Sequence, residues 1–187
     1  MKIKILILTT LFGCRMFCAA QNNSENTDTQ SKFVLYSVFA NFLPDGFNVP
    51  GIGFVNIAKG NHATAYIGFI NYADSLTGAQ LGFVNTTKKL NHTAQVGFVN
   101  TNLTGRNSRF VQTGFVNSNF SVNNKGVQTG FVNTNLGGLQ GAQTGFVNTN
   151  TGSLTGAQTG FVNTGLGDFQ GTQIGFLNIN TGKLKGL

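Results

Sequence analysis

Residues 156–163 read Gly156-Ala157-Gln158-Thr159-Gly160-Phe161-Val162-Asn163, and close copies of this octet recur at Gly141 to Asn148 and at Gly171 to Asn178. Working outward, the anchoring phenylalanine appears nine times, as Phe54, Phe69, Phe83, Phe98, Phe115, Phe131, Phe146, Phe161 and Phe176. Each follows a glycine, and each is followed two places later by asparagine: Asn56, Asn71, Asn85, Asn100, Asn117, Asn133, Asn148, Asn163 and Asn178. In the last seven copies a glutamine stands two places before the glycine: Gln80, Gln95, Gln112, Gln128, Gln143, Gln158 and Gln173. The phenylalanine spacings are 15, 14, 15, 17, 16, 15, 15 and 15. Every length change falls between the Asn of one copy and the Gln of the next. One part of each unit is therefore a fixed segment and the rest holds a turn that tolerates insertion.

A period of this size marks a stack of small units, none of which can bury an apolar face alone. Helix is excluded because glycine recurs within each unit, at about 1 kcal/mol per interior glycine relative to alanine. Val, Thr and Phe favour strands, and Asn and Gly favour turns. In a straight strand, Ala157, Thr159, Phe161 and Asn163 share one face, and Gln158, Gly160, Val162 and Thr164 share the other. Phe is the largest apolar residue, so its face is expected inward. Leu154, with Leu76, Leu90, Leu139, Phe169 and Leu184 at matching places, would then need a bend to face inward too. Gly156 stands where that bend is required, with counterparts at Gly78, Gly126, Gly141, Gly171 and Gly186, and glycine adopts positive φ freely.

The expected fold is all-β, a repeat-built parallel β-solenoid of about nine coils of ~15 residues, stacked at about 4.8 Å. The nine phenylalanines would form the core and the nine asparagines a hydrogen-bonded ladder. The alternative is an antiparallel β-meander or an outer-membrane β-barrel, since a strand from Leu154 to Asn163 suits a bilayer crossing. Barrels usually alternate short and long turns, whereas these spacings do not alternate, and Leu154 would land beside Gln158.

Residues 1–20 read as a signal peptide. Lys2 and Lys4 precede an apolar run from Ile5 to Phe12, and Cys18, Ala19 and Ala20 precede Gln21. The run is too short to span a bilayer as a helix. Cleavage after Ala20 removes Lys2, Lys4 and Arg15, so the net charge falls from +7 to +4. It also removes both cysteines, Cys14 and Cys18, leaving no disulfide or thiol chemistry. Lipidation at Cys18 is disfavoured because Arg15, Met16 and Phe17 precede it. Residues 21–32 form a flexible polar leader. Residues 33–50 are expected to supply a capping strand and a turn at Pro44-Asp45-Gly46, and residues 51–187 the repeat domain.

Catalytic chemistry has little to build on. The acidic residues are Glu25, Asp28, Asp45, Asp74 and Asp168, and no carboxylate pair recurs in the repeat. His62 and His92 read as solvated loop residues with no metal-ligating partners. No cofactor or metal is expected. The remaining positive charges are scattered, so nucleic acid is not expected as a partner. Stacking would make threonine rows, Thr113, Thr129, Thr144 and Thr159 before the glycine and Thr134, Thr149 and Thr164 after the asparagine. The second row holds the candidates to face a ligand, while the first, on the Phe face, is expected to be partly buried.

The tandem Gly-x-Gln-x-Gly-Phe-x-Asn blocks at Gly141–Asn148, Gly156–Asn163 and Gly171–Asn178 resemble a family of bacterial exported surface-repeat proteins, in which Gln-x-Gly-x-x-Asn recurs at about this spacing. The resemblance covers residues 51–187 and implies export to the envelope of a Gram-negative-type bacterium, with no catalytic residues carried over. The expectation is a non-enzymatic structural or interaction protein of the cell envelope or surface. Its partners are unknown, with envelope components, glycans and self-association as candidates. An outer-membrane barrel and an ice- or glycan-binding module are the alternatives.

Overall fold

A computed structural model describes residues 4–9, 15–20 and 35–186. The leader at 21–32 lies outside the described residues, as does much of the N-terminal segment read as a signal peptide. Within that segment, Lys4–Thr9 and Arg15–Ala20 pair antiparallel as a separate two-stranded sheet.

The rest is a parallel β-solenoid whose seventeen strands form one continuous sheet. Like residues sit directly above one another. Leu139, Gly141, Gln143 and Thr144 pair with Leu154, Gly156, Gln158 and Thr159, and Val147, Asn148 and Thr149 pair with Val162, Asn163 and Thr164. All pairings within this sheet of named strands run parallel, which excludes the antiparallel meander and barrel. Each later coil has a six-residue strand such as Leu154–Thr159, a corner at Gly160-Phe161, and a four-residue strand such as Val162–Gly165. The earlier coils are more continuous, with Val55–Ile67, Ile70–Leu81 and Val84–Val96 each running as one bent strand. Ala40–Leu43 pairs in register below Val55, so residues before the first repeat add a rung of their own. The longer spacings are absorbed in loops where Asn107 and Asn123 both take φ 54°, a left-handed conformation that asparagine tolerates.

The interior differs from the sequence expectation in one decisive respect. The nine phenylalanines are not the core. Phe69 to Phe161 are each about 45% exposed, and the terminal Phe176 is 82% exposed. The backbone turns at Gly-Phe, so the alternation of faces is interrupted there. Gln158 and Asn163, five places apart, both point inward, and Phe161 is left on the outside of the corner. On the long strand Leu154 and Gln158 share one face by ordinary alternation, so no bend is needed between them.

What fills the inside is largely amide. The glutamines Gln80 to Gln158 and the asparagines Asn41 to Asn163 of the repeat are fully buried. Burial of these groups is tolerated because stacking supplies their partners. Each Asn amide donates to the Asn Oδ1 of the next coil, at 2.6–2.9 Å from Asn41 through Asn163. It also donates to a backbone carbonyl beside the next corner, as Asn133 does to Thr144 at 2.9 Å. The glutamines form a second ladder of opposite sense. Gln95 donates to Gln80, and Gln158 donates to Gln143. Their amides also reach across the interior to the opposite strand, as Gln143 does to the Thr149 carbonyl at 3.2 Å. The Asn ladder braces the corner and the Gln ladder ties the two strand layers together.

The apolar part of the core is a narrower column. Leu139, Leu154 and Phe169 are buried and cluster with Phe110, a residue outside the repeat pattern. Phe110 occupies the place taken by Gly126 in the next coil, and Ser108 precedes it where other coils have leucine. A small-large pair thus replaces the Leu-Gly pair, and the volume of the rung is kept. At the N-terminal end Leu43, Ala58, Tyr66, Ala73 and Leu76 form a second cluster. Tyr66 stands in register with Gln80, and burial raises its phenol pKa well above the ordinary value.

Candidate interaction surface

The corner that turns each coil also builds the most distinctive surface. Because consecutive coils are in register, the nine phenyl rings stack face to face with centroids 4.9–5.0 Å apart and interplanar angles of 0–4°. Eight such steps carry the row about 39 Å along the rod. Ring faces cover one another, so the rings present their edges outward. The long-strand column beside them reads Ile67, Leu81, Val96, Thr113, Thr129, Thr144, Thr159 and Ile174, and the short-strand column is mostly valine. The result is a straight, uncharged, aromatic edge flanked by threonine over four consecutive rungs.

Gly160 and its counterparts make the corner possible. A Cβ at Gly160 would overlap the carbonyl of Gly145 and stand 2.6 Å from the amide of Asn148. The backbone ladder continues through the turn, with Phe161 N–H donating to Phe146 O at 3.0 Å and Gly145 N–H donating to Thr159 O at 3.0 Å. The aromatic row is therefore held by hydrogen-bonded backbone on both sides. Phe146→Ala should accordingly cost only about 1–2 kcal/mol, the worth of exposed stacking contacts, where a fully buried phenylalanine would cost about 3–5 kcal/mol. Urea denaturation of the variant against the parent distinguishes these values.

The threonine rows are placed differently from each other. Thr113, Thr129, Thr144 and Thr159 are in register and exposed, which corrects the expectation that this row is partly buried. Thr134, Thr149 and Thr164 are half-buried on the outer side of the short strands, alternating with the inward asparagines. The carbonyls of Thr134 and Thr149 accept from the glutamine ladder.

The two histidines do not come together. His62 is buried at the leucine position of its coil, in register with Leu76. Its Nε2 lies 2.9 Å from the Lys59 carbonyl and its Nδ1 3.2 Å from the Phe47 carbonyl, which corrects its reading as a solvated residue. His92 is exposed on the long strand. Among the described residues no group of three or more His, Cys, Asp or Glu converges on one point. Asp74 accepts from Tyr72 Oη at 2.8 Å and from Gly60 N–H at 3.2 Å, with Lys59 Nζ at 3.9 Å. Burial works to raise its pKa, and these hydrogen bonds together with Lys59 and Lys88 outweigh it and hold the carboxyl below its usual value.

Sequence reasoning missed the burial of the glutamines. The signal was present in their strict register with the asparagines, two amides held five places apart in seven consecutive copies. No protein-family model, curated protein or solved structure matches the chain.

Proposed function

We propose that the chain is a non-enzymatic structural or interaction protein of the bacterial cell envelope or surface, exported by its N-terminal segment and acting by display of a regular β surface. The observation that carries this reading is the row of nine stacked phenyl rings, all but the terminal Phe176 about half-exposed, along one corner of the rod. An apolar strip of that length is unusual on a surface with no partner. The resemblance of the Gly-x-Gln-x-Gly-Phe-x-Asn blocks to exported surface-repeat proteins supports the envelope assignment. Expression of the full chain with a C-terminal tag in a Gram-negative host, followed by fractionation and protease treatment of intact cells, tests it. Recovery in the envelope fraction or the medium, with loss of the N-terminal segment, is the expected result. Recovery as an unprocessed cytoplasmic protein overturns it.

A second reading has one observation in its favour. Thr113, Thr129, Thr144 and Thr159 make an exposed, in-register row of hydroxyls beside the aromatic corner. Such a row suits ice or a neutral glycan. Thermal hysteresis and a neutral-glycan array address it, and it falls if both are negative.

A further inference from the structure

The outer face of the long strands holds a column four residues away from the threonine row. In register it reads Thr77, His92, Arg109, Lys125, Gln140, Thr155, Gln170 and Lys185. Three consecutive rungs, His92, Arg109 and Lys125, therefore carry basic side chains directly above one another. Like charges on facing positions of neighbouring strands repel. Among the described residues none of the three takes part in an ion pair, and Asp74 is engaged by Tyr72, Gly60 and Lys59.

The same three residues line one shallow groove of about 490 Å³, whose floor includes Ala94, Val111 and Gly126. The groove exists because the columns beneath the basic one are built from small residues at these rungs. Ala94 and Val111 are short, and the place of a side chain at Gly126 is taken by the ring of the buried Phe110 in the rung below, so nothing projects there. Its floor is carbon and its rim is cationic. A small inorganic anion would use the rim alone, whereas a sugar ring bearing an oxyanion would use both.

We propose that His92, Arg109 and Lys125 form a binding site for the sulfate, carboxylate or phosphate groups of an anionic glycan, laid along the rod axis so that its oxyanions meet successive rungs. Arg109 supplies a planar donor fork for an oxyanion, and Lys125 supplies a second charge one rung, roughly 4.8 Å, further on. Bound anion also relieves the repulsion between Arg109 and Lys125. The site is separate from the aromatic corner, and the proposal stands whether or not that corner has a partner.

The test is a calorimetric titration of the full chain, at low and at physiological salt, with dextran sulfate and with inorganic sulfate. Unlabelled dextran serves as the neutral probe. Dextran sulfate is expected to bind, more weakly at higher salt, and neutral dextran is not. Arg109→Gln with Lys125→Gln should weaken binding at least roughly tenfold through loss of two charge-assisted contacts. Glutamine already occupies this column at Gln140 and Gln170, so the variant should keep its β circular dichroism and melt no lower than the parent. Lys183→Gln with Lys185→Gln removes the same charge outside the groove, Lys185 standing four rungs, roughly 19 Å, beyond Lys125 in the same column, and should leave binding within about twofold, the small long-range share of screened charges. Inorganic sulfate binding as tightly as the polymer would restrict the site to a free anion and refute the glycan. Equal losses in the two double variants, or no binding by the parent, would refute the site itself.

Discussion

Asn148→Ala should be among the most damaging single substitutions in the chain, costing about 3–5 kcal/mol although it removes no apolar surface. Asn148 accepts from Asn133 at 2.8 Å and donates to Asn163 at 2.9 Å and to the Thr159 carbonyl at 3.0 Å. The three asparagine side chains are fully buried. Truncation leaves Asn163 Oδ1 without its donor and deprives Asn133 of one acceptor, at about 1–3 kcal/mol for each buried group left unpaired. A void the size of the lost amide adds to this. Asn178→Ala is the internal control. Asn178 is exposed at the last rung, and its loss should cost about 1 kcal/mol or less. Urea unfolding of both variants settles the order. If Asn148→Ala cost less than Phe146→Ala, the amide ladder would not be the element that holds the corners together.

Gly156→Ala should be of similar size for an unrelated reason. Gly156 has φ +142°, and a Cβ there would overlap the carbonyl oxygen of Gly141 in the coil below. Gly141, Gly171 and Gly186 repeat the conformation at φ +154°, +143° and +129°. An L-residue at such a φ is strained by about 1–3 kcal/mol before any clash is counted. Parting two rungs spaced at 4.8 Å also disrupts the hydrogen bonds on either side. The expected loss is about 4 kcal/mol or more, at the upper end of what single substitutions do. Gly46→Ala gives the comparison, because Gly46 also has positive φ, +78°, but nothing lies within 4 Å of its missing Cβ. It should cost about 1–2 kcal/mol, the conformational part alone. Equal melting temperatures for the two variants would show that close approach between rungs is not what demands glycine at 156.

Both effects trace to the same constraint, the tight vertical repeat. In-register parallel stacking brings each residue within hydrogen-bonding distance of its own copy above and below. For an isolated coil, an inward Asn or Gln would be a buried group without partners. Within the stack each amide donates to and accepts from its equivalents, as Gln143 donates to Gln128 and accepts from Gln158. The phenyl rings, which have no hydrogen bonds to lose, can stay at the surface and still gain stacking contacts.

Much of this was legible in the residues themselves. The ~15-residue period, the exclusion of helix by repeated glycine, and the constant Gln-to-Asn segment against variable loops all pointed to stacked parallel coils. Of the glycines expected to take positive φ, Gly78, Gly141, Gly156, Gly171 and Gly186 do so and Gly126 does not, and they serve close approach between rungs in place of the expected bend. The sequence could not show where the coil turns inside its constant segment. Gln158 and Asn163 are an odd number of positions apart, so a straight strand places them on opposite faces, and hydrophobicity then sends Phe161 inward. Only the tertiary structure placed the corner at Gly160-Phe161, where an inward side chain would meet the backbone of the coil below. That turn puts both amides inside and the ring outside, because the neighbouring rung can satisfy an amide while the inside of the corner has no room for a phenyl group.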